Sequence, residues 1–468
     1  LTTKDRPAGR ADDPFLVDKL LREKEGIFLW CLEGLHRLIR NNYQFIISGK
    51  ARENMETVKR SSNNVINIQE SEEKRIARMK WIKILFIGCF VAFIGFTGLK
   101  TIAGKEAKSL TEGRSLTQFP DLDYSEMTKD SYLSEVENAF SDQLSSRENK
   151  IHQYYDLTVN KLHMKYAGSV SIGKDNQLFE QPQVINDYAA FDHEVKKIAK
   201  VVNKEAAKIT KNGAKFLFIN YPRKDVGAKQ YLPSYYPDST KDYQRYIRIL
   251  RQELSDDVIF IDANELFQKY DGDGLLYYKT DHHVNANGTQ LVYDEVMKYV
   301  KQQFPATQTK SLSDYRIKQK VVAGSYNRKI GYVVSAGKEE ITLRPKWKLK
   351  YKWLNSKAPL FGKGDTYASA FMGGDYAYTD ITTPQKDAAK IMISGSSYTN
   401  ALEAMIIPSC REMISYDYRY NTKSGTLAQE AAKQSPDYVI YIPNQSDAHF
   451  SYETFRQHLG LSNKAGKE

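Results

Sequence analysis

Residues 390–400 read KIMISGSSYTN. Ile391, Met392 and Ile393 form a short apolar run of the kind a strand shows when both its faces are covered, as at the centre of a parallel sheet. Gly395, Ser396 and Ser397 break the run, and a helical composition follows. A strand that turns at once into a helix sets its last residues at the carboxyl edge of the sheet, where open α/β sheets hold their ligands. Gly395 relieves crowding at that junction, and the new helix offers unpaired N–H groups to a developing oxyanion. On these residues alone two readings stand side by side: Ser397 as a nucleophile, or an ordinary helix N-cap.

Working outward, four more runs read as strands: residues 215–221 (KFLFINY), 258–262 (VIFID), 413–418 (MISYDY) and 438–443 (YVIYIP). Helical periods fall at 191–210, 242–254, 290–303 and 426–434, and the alternation predicts an open three-layer α/β domain with a parallel sheet. A further helical spacing runs through 119–147 by way of Tyr132, Val136, Phe140 and Leu144. Between 305 and 388 the helical signal lapses and basic-aromatic segments such as KWKLKYKW appear. This stretch is expected to be a β-rich insertion lying across the sheet.

A second candidate site is TDHHVNANG, residues 280–288, between 275–278 and a helix. Asp281 and His283 are two apart, so an extended segment puts them on one face, and a turn brings the carboxylate to the imidazole and fixes its tautomer. His282 is expected to point elsewhere. A serine hydroxyl needs such a base because it is hardly ionised at neutral pH. A surface turn and a metal site built on the Asp-His-His triplet are the competing readings. The manganese phosphoesterases that share this triplet need upstream Asp and His clusters, whereas here only Asp271 and Asp273 are near.

The whole chain has 468 residues, 41% of them hydrophobic, and a net charge of +11, which excludes a mainly disordered protein. Residues 1–83 hold 17 basic and 12 acidic side chains, leaving an excess of six over the other 385, too dilute to announce a nucleic-acid binder. The three cysteines, Cys31, Cys89 and Cys410, lie far apart and fit neither a zinc site nor a disulfide framework. Residues 84–99, ILFIGCFVAFIGFTGL, extend with their flanks to a transmembrane helix at 81–103. Lys74, Arg75, Arg78, Lys80 and Lys83 crowd its N-terminal flank, which predicts a single-pass protein with a cytoplasmic N-terminus and an extracytoplasmic main domain. Residues 104–118 read as a linker and 119–468 as that main domain.

The chain opens on Leu1 instead of Met, which reads as a missing start, and residues 15–25 and 27–40 carry two amphipathic periods. Residues 10–67 resemble the C-terminal part of phage and plasmid primase-helicases but hold no Walker A pattern. Residues 1–70 are therefore expected to be a helical fusion remnant.

TDHHVNANG, the later SGSSYT and the run SYDYRY together resemble the DHHW family, SGNH-hydrolase-like proteins related to those of alginate O-acetylation. SLTQFPDL, FSDQLSSR, SVSIGKDNQLF and NYPRKD agree in order, so that the resemblance covers about residues 110–450. It implies Ser397 as nucleophile, His283 as general base and Asp281 as its orienting carboxylate, with Arg419, Tyr398 and Asn444 near substrate or oxyanion. Val284 and Ser396 depart from the family, which usually has Trp at the first position and Asp or Thr at the second. The implied activity is O-acetylation of a cell-surface polysaccharide through an acyl-serine. No bound cofactor or metal is expected, the acetyl donor being supplied indirectly by a membrane-bound O-acyltransferase partner. The lipid bilayer is engaged through 81–103, and no nucleic acid is expected at the main domain. A carbohydrate esterase with the same triad and a non-catalytic scaffold or glycan-binding partner remain as alternatives.

Overall fold

The computed structural model describes residues 33–41, 49–50, 52–54, 56, 72–109, 111–112, 114–125, 127–182, 184–443 and 451–461. It divides into two units, Leu1–Phe93 and Ile94–Glu468. In the first unit residues 33–40 are helical, while most of the expected remnant at 1–70 lies outside the described residues. Helix α1, Glu72–Ile102, contains a stretch, Arg78–Ile102, whose most apolar 18-residue window has a mean hydropathy of 2.2 and is unburied. It is long and apolar enough to cross a membrane.

In the second unit the helical spacing at 119–147 is realised only from Asp130: helix α2 spans Asp130–Asp142 and α3 Arg147–Tyr155. Pro120 and the Asp121–Asp123 segment before it favour turns over helix, so the expected start was too early. A small antiparallel sheet follows, made of β1 (Tyr166–Ala167), β2 (Val170–Ile172) and β3 (Leu178–Glu180).

The main domain then alternates: α4 (Tyr188–Lys211), β4 (Lys215–Asn220), α5 (Thr240–Glu253), β5 (Val258–Asp262) and α6 (Ala286–Gln303). After the hairpin of β6 (Tyr315–Val321) and β7 (Lys338–Pro345) come β8 (Lys352–Trp353), β9 (Tyr378–Thr382), β10 (Lys390–Gly395), α7 (Asn400–Ile406), β11 (Glu412–Tyr416), α8 (Leu427–Gln434), β12 (Tyr438–Ile442) and α9 (Tyr452–His458). The large sheet has the order β5-β4-β12-β10-β11-β9-β8, parallel from β5 to β11 and antiparallel at β9 and β8.

Strand alternation explains the layers. Leu217, Ile219, Ile391, Ile393 and Ile440 pack with α6 and α7 on one face, while Phe216, Phe218, Met392, Val439 and Tyr441 pack with α4, α5, α8 and α9 on the other. The expected placement of 305–388 across the sheet is corrected in part. Only β6 and β7 form a separate hairpin; β8 and β9 extend the sheet itself, pairing the edge that β11 would otherwise present. Because β12 lies between β4 and β10, chain that continues from β4 and from β10 leaves the sheet in opposite directions, and this reversal marks the crevice for a ligand.

Candidate active site

Both candidate loops arrive at that edge. The segment from 275 to α6 folds back on itself, with Tyr278 N–H donating to His283 O (3.2 Å), Asn285 N–H to Leu276 O (2.8 Å), and Asn285 capping α6 through the N–H groups of Asn287 and Gly288. In this turn the Asp281 carboxylate curls over its own loop: Oδ1 accepts the His283 backbone N–H (2.9 Å) and the His283 Nδ1–H (2.6 Å). Its Oδ2 accepts the backbone N–H of Ser325 (2.7 Å). A carboxylate can only accept, so the proton sits on Nδ1 and Nε2 is left as an acceptor. Nε2 lies 2.9 Å from Ser397 Oγ.

Ser397 opens the single 3-10 turn, Ser397–Thr399, between β10 and α7. It alone among residues 391–400 is not buried, so its hydroxyl is the group this junction presents. Gly395 is required by close approach: a Cβ there would meet Thr399 Cγ2 at 2.4 Å and Ile442 O at 2.7 Å. The expectation that the helix N–H groups remain open is corrected at two positions. Thr399 N–H is taken by Ser396 O (2.9 Å) and Ala401 N–H by the Tyr367 hydroxyl (3.1 Å).

Burial by itself would raise the Asp281 carboxyl, but the attraction of His283 and His282 and the hydrogen bonds from His283 and Ser325 outweigh it and hold the group well below the usual carboxylate range. His282 does not point away as expected. Its ring lies 3.9 Å from that of His283, its Nδ1 is 2.7 Å from Ser325 Oγ, and burial pushes its pKa down to about 3, so that it is neutral at pH 7. The short reach of the Asp-His-His triplet explains the change: both imidazoles stay within reach of one carboxylate. Asp281, His282 and His283 present donor atoms within 4.8 Å of one another, as a metal site requires. Those atoms are already engaged, however, with each other, with Ser325 and with Ser397.

Three contributors were not singled out from sequence. The Tyr367 ring stacks on His283 with centroids 3.9 Å apart and planes 5° from parallel, which restricts the imidazole. Ser325 comes from the insertion and ties both Asp281 and His282. Lys224, fully enclosed, donates to the carbonyls of Tyr278 (2.6 Å), Lys279 (2.7 Å) and Asp281 (3.2 Å) and so gathers the loop from beneath. It is the second of the two basic residues of NYPRKD, just after β4. Burial lowers its pKa to about 7, against the attraction of Glu339 and Asp281.

Among the remaining expected site residues, Tyr398 is buried with its ring 4.9 Å from His283. Arg419 is held by Asp417 (2.6 Å) and Asp375 (3.4 Å), and Asp375 in turn accepts from Asn400 Nδ2 (2.8 Å), three residues after Ser397. Arg419 is thus held through Nε and Nη2 by two carboxylates. Asn444 lies outside the described residues. Behind the junction, Thr399 Oγ1 donates to Glu403 Oε1 (2.6 Å), whose pKa burial raises to about 7, beside a cavity of about 10 Å³ that also touches Ser396.

Residues 170–380 match the family described as an SGNH hydrolase-like domain, acetyltransferase AlgX. The matched span holds Asp281 and His283 and ends before Ser397. No curated protein matches the chain. Among solved structures, that of Bacillus cereus PatB1 is similar with a TM-score of 0.51 at 20% identity, over 61% of this chain and 98% of that one. PatB1 with a sulfonyl adduct gives 0.50 at 19% identity, over 61% and 99%. A DHHW family protein from Eubacterium siraeum gives 0.47 at 18% identity, over 63% and 94%. Residues 170–380 thus mark an SGNH hydrolase-like domain within the chain.

Proposed function

We propose that the SGNH-like domain is a membrane-anchored O-acyltransferase that places acetyl groups on a cell-surface polysaccharide through an acyl-Ser397 intermediate. One observation carries the reading: the hydrogen-bonded line from Ser397 Oγ to His283 Nε2 (2.9 Å) and from His283 Nδ1 to Asp281 (2.6 Å). This is the arrangement a hydroxyl needs to act as a nucleophile near neutral pH.

As Ser397 Oγ attacks the acetyl carbonyl, its proton passes to His283 Nε2 and the O–C bond forms. The donor's leaving group takes that proton as its own bond to carbon breaks, which leaves acetyl-Ser397. A sugar hydroxyl then gives its proton to Nε2 as it attacks the acetyl carbon, and that proton returns to Ser397 Oγ as the Oγ–acetyl bond breaks, which frees the serine and leaves His283 neutral. Asp281, held ionised, stabilises the imidazolium of both steps, and the Tyr367 stack keeps the ring in line. Positive charge on the N-terminal side of α1 supports an extracytoplasmic domain, so the acetyl group has to cross the bilayer through a membrane-bound O-acyltransferase partner.

The full chain in non-ionic detergent, given an activated acetyl ester, is expected to release the leaving group and to carry a hydroxylamine-labile acetyl on Ser397. A sulfonyl fluoride, which forms an O–S bond and releases fluoride, should block it. Ser397→Ala is expected to lower turnover by about 10³-fold or more. Unchanged turnover in that variant would end the proposal, and turnover that only water and never a sugar intercepts would make the protein an esterase. A well-folded chain with no ester turnover at all would make it a scaffold.

A further inference from the structure

The charge of the chain is not spread as its average suggests. Residues 310–363 carry 14 Lys or Arg and 3 Asp or Glu, an excess of 11 that equals the net charge of the whole protein, and the other 414 residues balance. Of the three acids, Glu339 turns inward to the Lys279 N–H and Asp314 accepts from the Ser311 N–H, which leaves Glu340 exposed. Among the described residues, Lys329 is the one cation of this stretch paired with a carboxylate, Glu180 at 2.8 Å.

These cations are arranged. Arg344, Lys346, Lys348, Lys350 and Lys352 are exposed, while Trp347, Leu349 and Trp353 between and after them turn inward and pack on the core. From Arg344 to Lys350 exposed cations thus alternate with part-buried residues, and beyond them Tyr351 is exposed together with Lys350 and Lys352. At the head of this run Arg344 faces Arg316 directly across the β6–β7 hairpin. Like charges in that position destabilise a strand pair, and no acid intervenes. Both arginines, with Lys363, line an open groove of about 640 Å³ whose walls include Phe361, Pro345 and Pro359. Lys363 is four residues from Tyr367, so the two Cα atoms are at most about 14 Å apart. Tyr367 is the ring stacked on His283.

We infer that this groove and lysine run bind the acceptor, a glycan chain carrying repeated phosphodiester groups. The inference rests on the acyl-transfer reading in taking the bound chain as the acceptor. A planar carboxylate is matched by the fork of one arginine, whereas the tetrahedral oxygens of a phosphate suit two guanidinium groups that approach from different strands. Lysines serve a phosphate as point charges. The apolar wall beside Phe361 offers a face on which a sugar ring can lie.

The full chain in non-ionic detergent is titrated with a glycerol-phosphate oligomer, an oligogalacturonate of equal charge, a neutral glucan of equal length, duplex DNA and vesicles of phosphatidylglycerol. The glycerol-phosphate oligomer is expected to bind most tightly, losing about tenfold or more in affinity between 50 and 200 mM salt. Arg316→Gln with Arg344→Gln should weaken it by about tenfold and Lys348→Gln with Lys350→Gln by a few-fold, while activated-ester turnover stays at the parent rate. Tighter binding of the galacturonate, the DNA or the vesicles would overturn the phosphodiester assignment, as would binding that the four substitutions leave unchanged. Ser397-dependent ester turnover without oligomer binding would sink this inference alone. Oligomer binding without turnover would leave the groove standing and remove the transferase.

Discussion

Residue type and spacing set Asp281 beside His283 but left Ser397 between a nucleophile and an ordinary N-cap; the resemblance joined the three, and the fold lines them up through hydrogen bonds of 2.6 and 2.9 Å. What surrounds them was not legible, since Tyr367 and Ser325 reach the site only through the fold of the insertion. His282 shows the limit of an argument from alternation. It was expected to diverge from His283, yet a turn stacks the two rings 3.9 Å apart. That burial has a consequence for pH. In the unfolded chain His282 takes up a proton below its ordinary value of 6.5, whereas in the fold it stays neutral down to about 3. Between those values the unfolded chain binds more protons, so stability falls as pH falls. Asp281, depressed below its ordinary 3.8, adds a loss of the same sign, but only beneath that value. His282→Gln is therefore expected to flatten the decline of the unfolding midpoint between about pH 6.5 and 4 while leaving the steeper acid limb. Its ester turnover at pH 7 should stay within about tenfold of the parent, whereas His283→Gln should lose about 10³-fold. An unchanged slope between pH 6.5 and 4 in His282→Gln would show that the imidazole is not held neutral.

At the scale of elements, the central strands were readable because a strand covered on both faces carries a continuous apolar run, as β12 does throughout and β10 does over Ile391–Ile393. β8 was not, being only Lys352–Trp353 and recognisable solely by its partner β9. Nor does any local pattern show that the short helix Ser325–Lys329 closes over the histidine loop. That closure depends on Gly324. A Cβ there would stand 2.1 Å from Thr280 O and 2.5 Å from its Oγ1, one residue before Asp281. With φ at −74° the glycine is not needed for its backbone conformation; it is needed for contact. Gly324→Ala must push the two segments apart and draw Ser325 N–H from Asp281 Oδ2. Because a displacement of about 1 Å in a reacting group can cost about 10²-fold, ester kcat is expected to fall by that order. The fold should persist, since the main sheet lies elsewhere. Kinetics and thermal unfolding on one preparation check this, and a variant with full kcat would show that the insertion does not set the geometry of the triad.

At the scale of the whole molecule, the two units differ in what sequence could say of them. The second was recognisable from ordered motifs, and it holds the residues that match the SGNH-like family, 170–380. Its charge was misjudged because an average over 385 residues conceals an excess of 11 confined to 54 of them, with the opposite sign elsewhere outside the first 83. The side chains of the site described all come from Lys224 onward. If α1 spans the bilayer, any influence of residues 1–70 on Ser397 would have to pass through one helix that begins at Glu72. A single helix offers no second arrangement through which two sites bias each other, which is what coupling requires. A chain starting at Met79 keeps the apolar stretch with Lys80 and Lys83 on its flank. It is expected to enter the membrane fraction, to turn over an activated acetyl ester within about twofold of the full chain, and to support equal acetylation of the cell surface. Normal membrane insertion and ester turnover with lost surface acetylation would assign the N-terminal segment to recruiting the acetyl-supplying partner. Loss of ester turnover itself would overturn the independence of the domain.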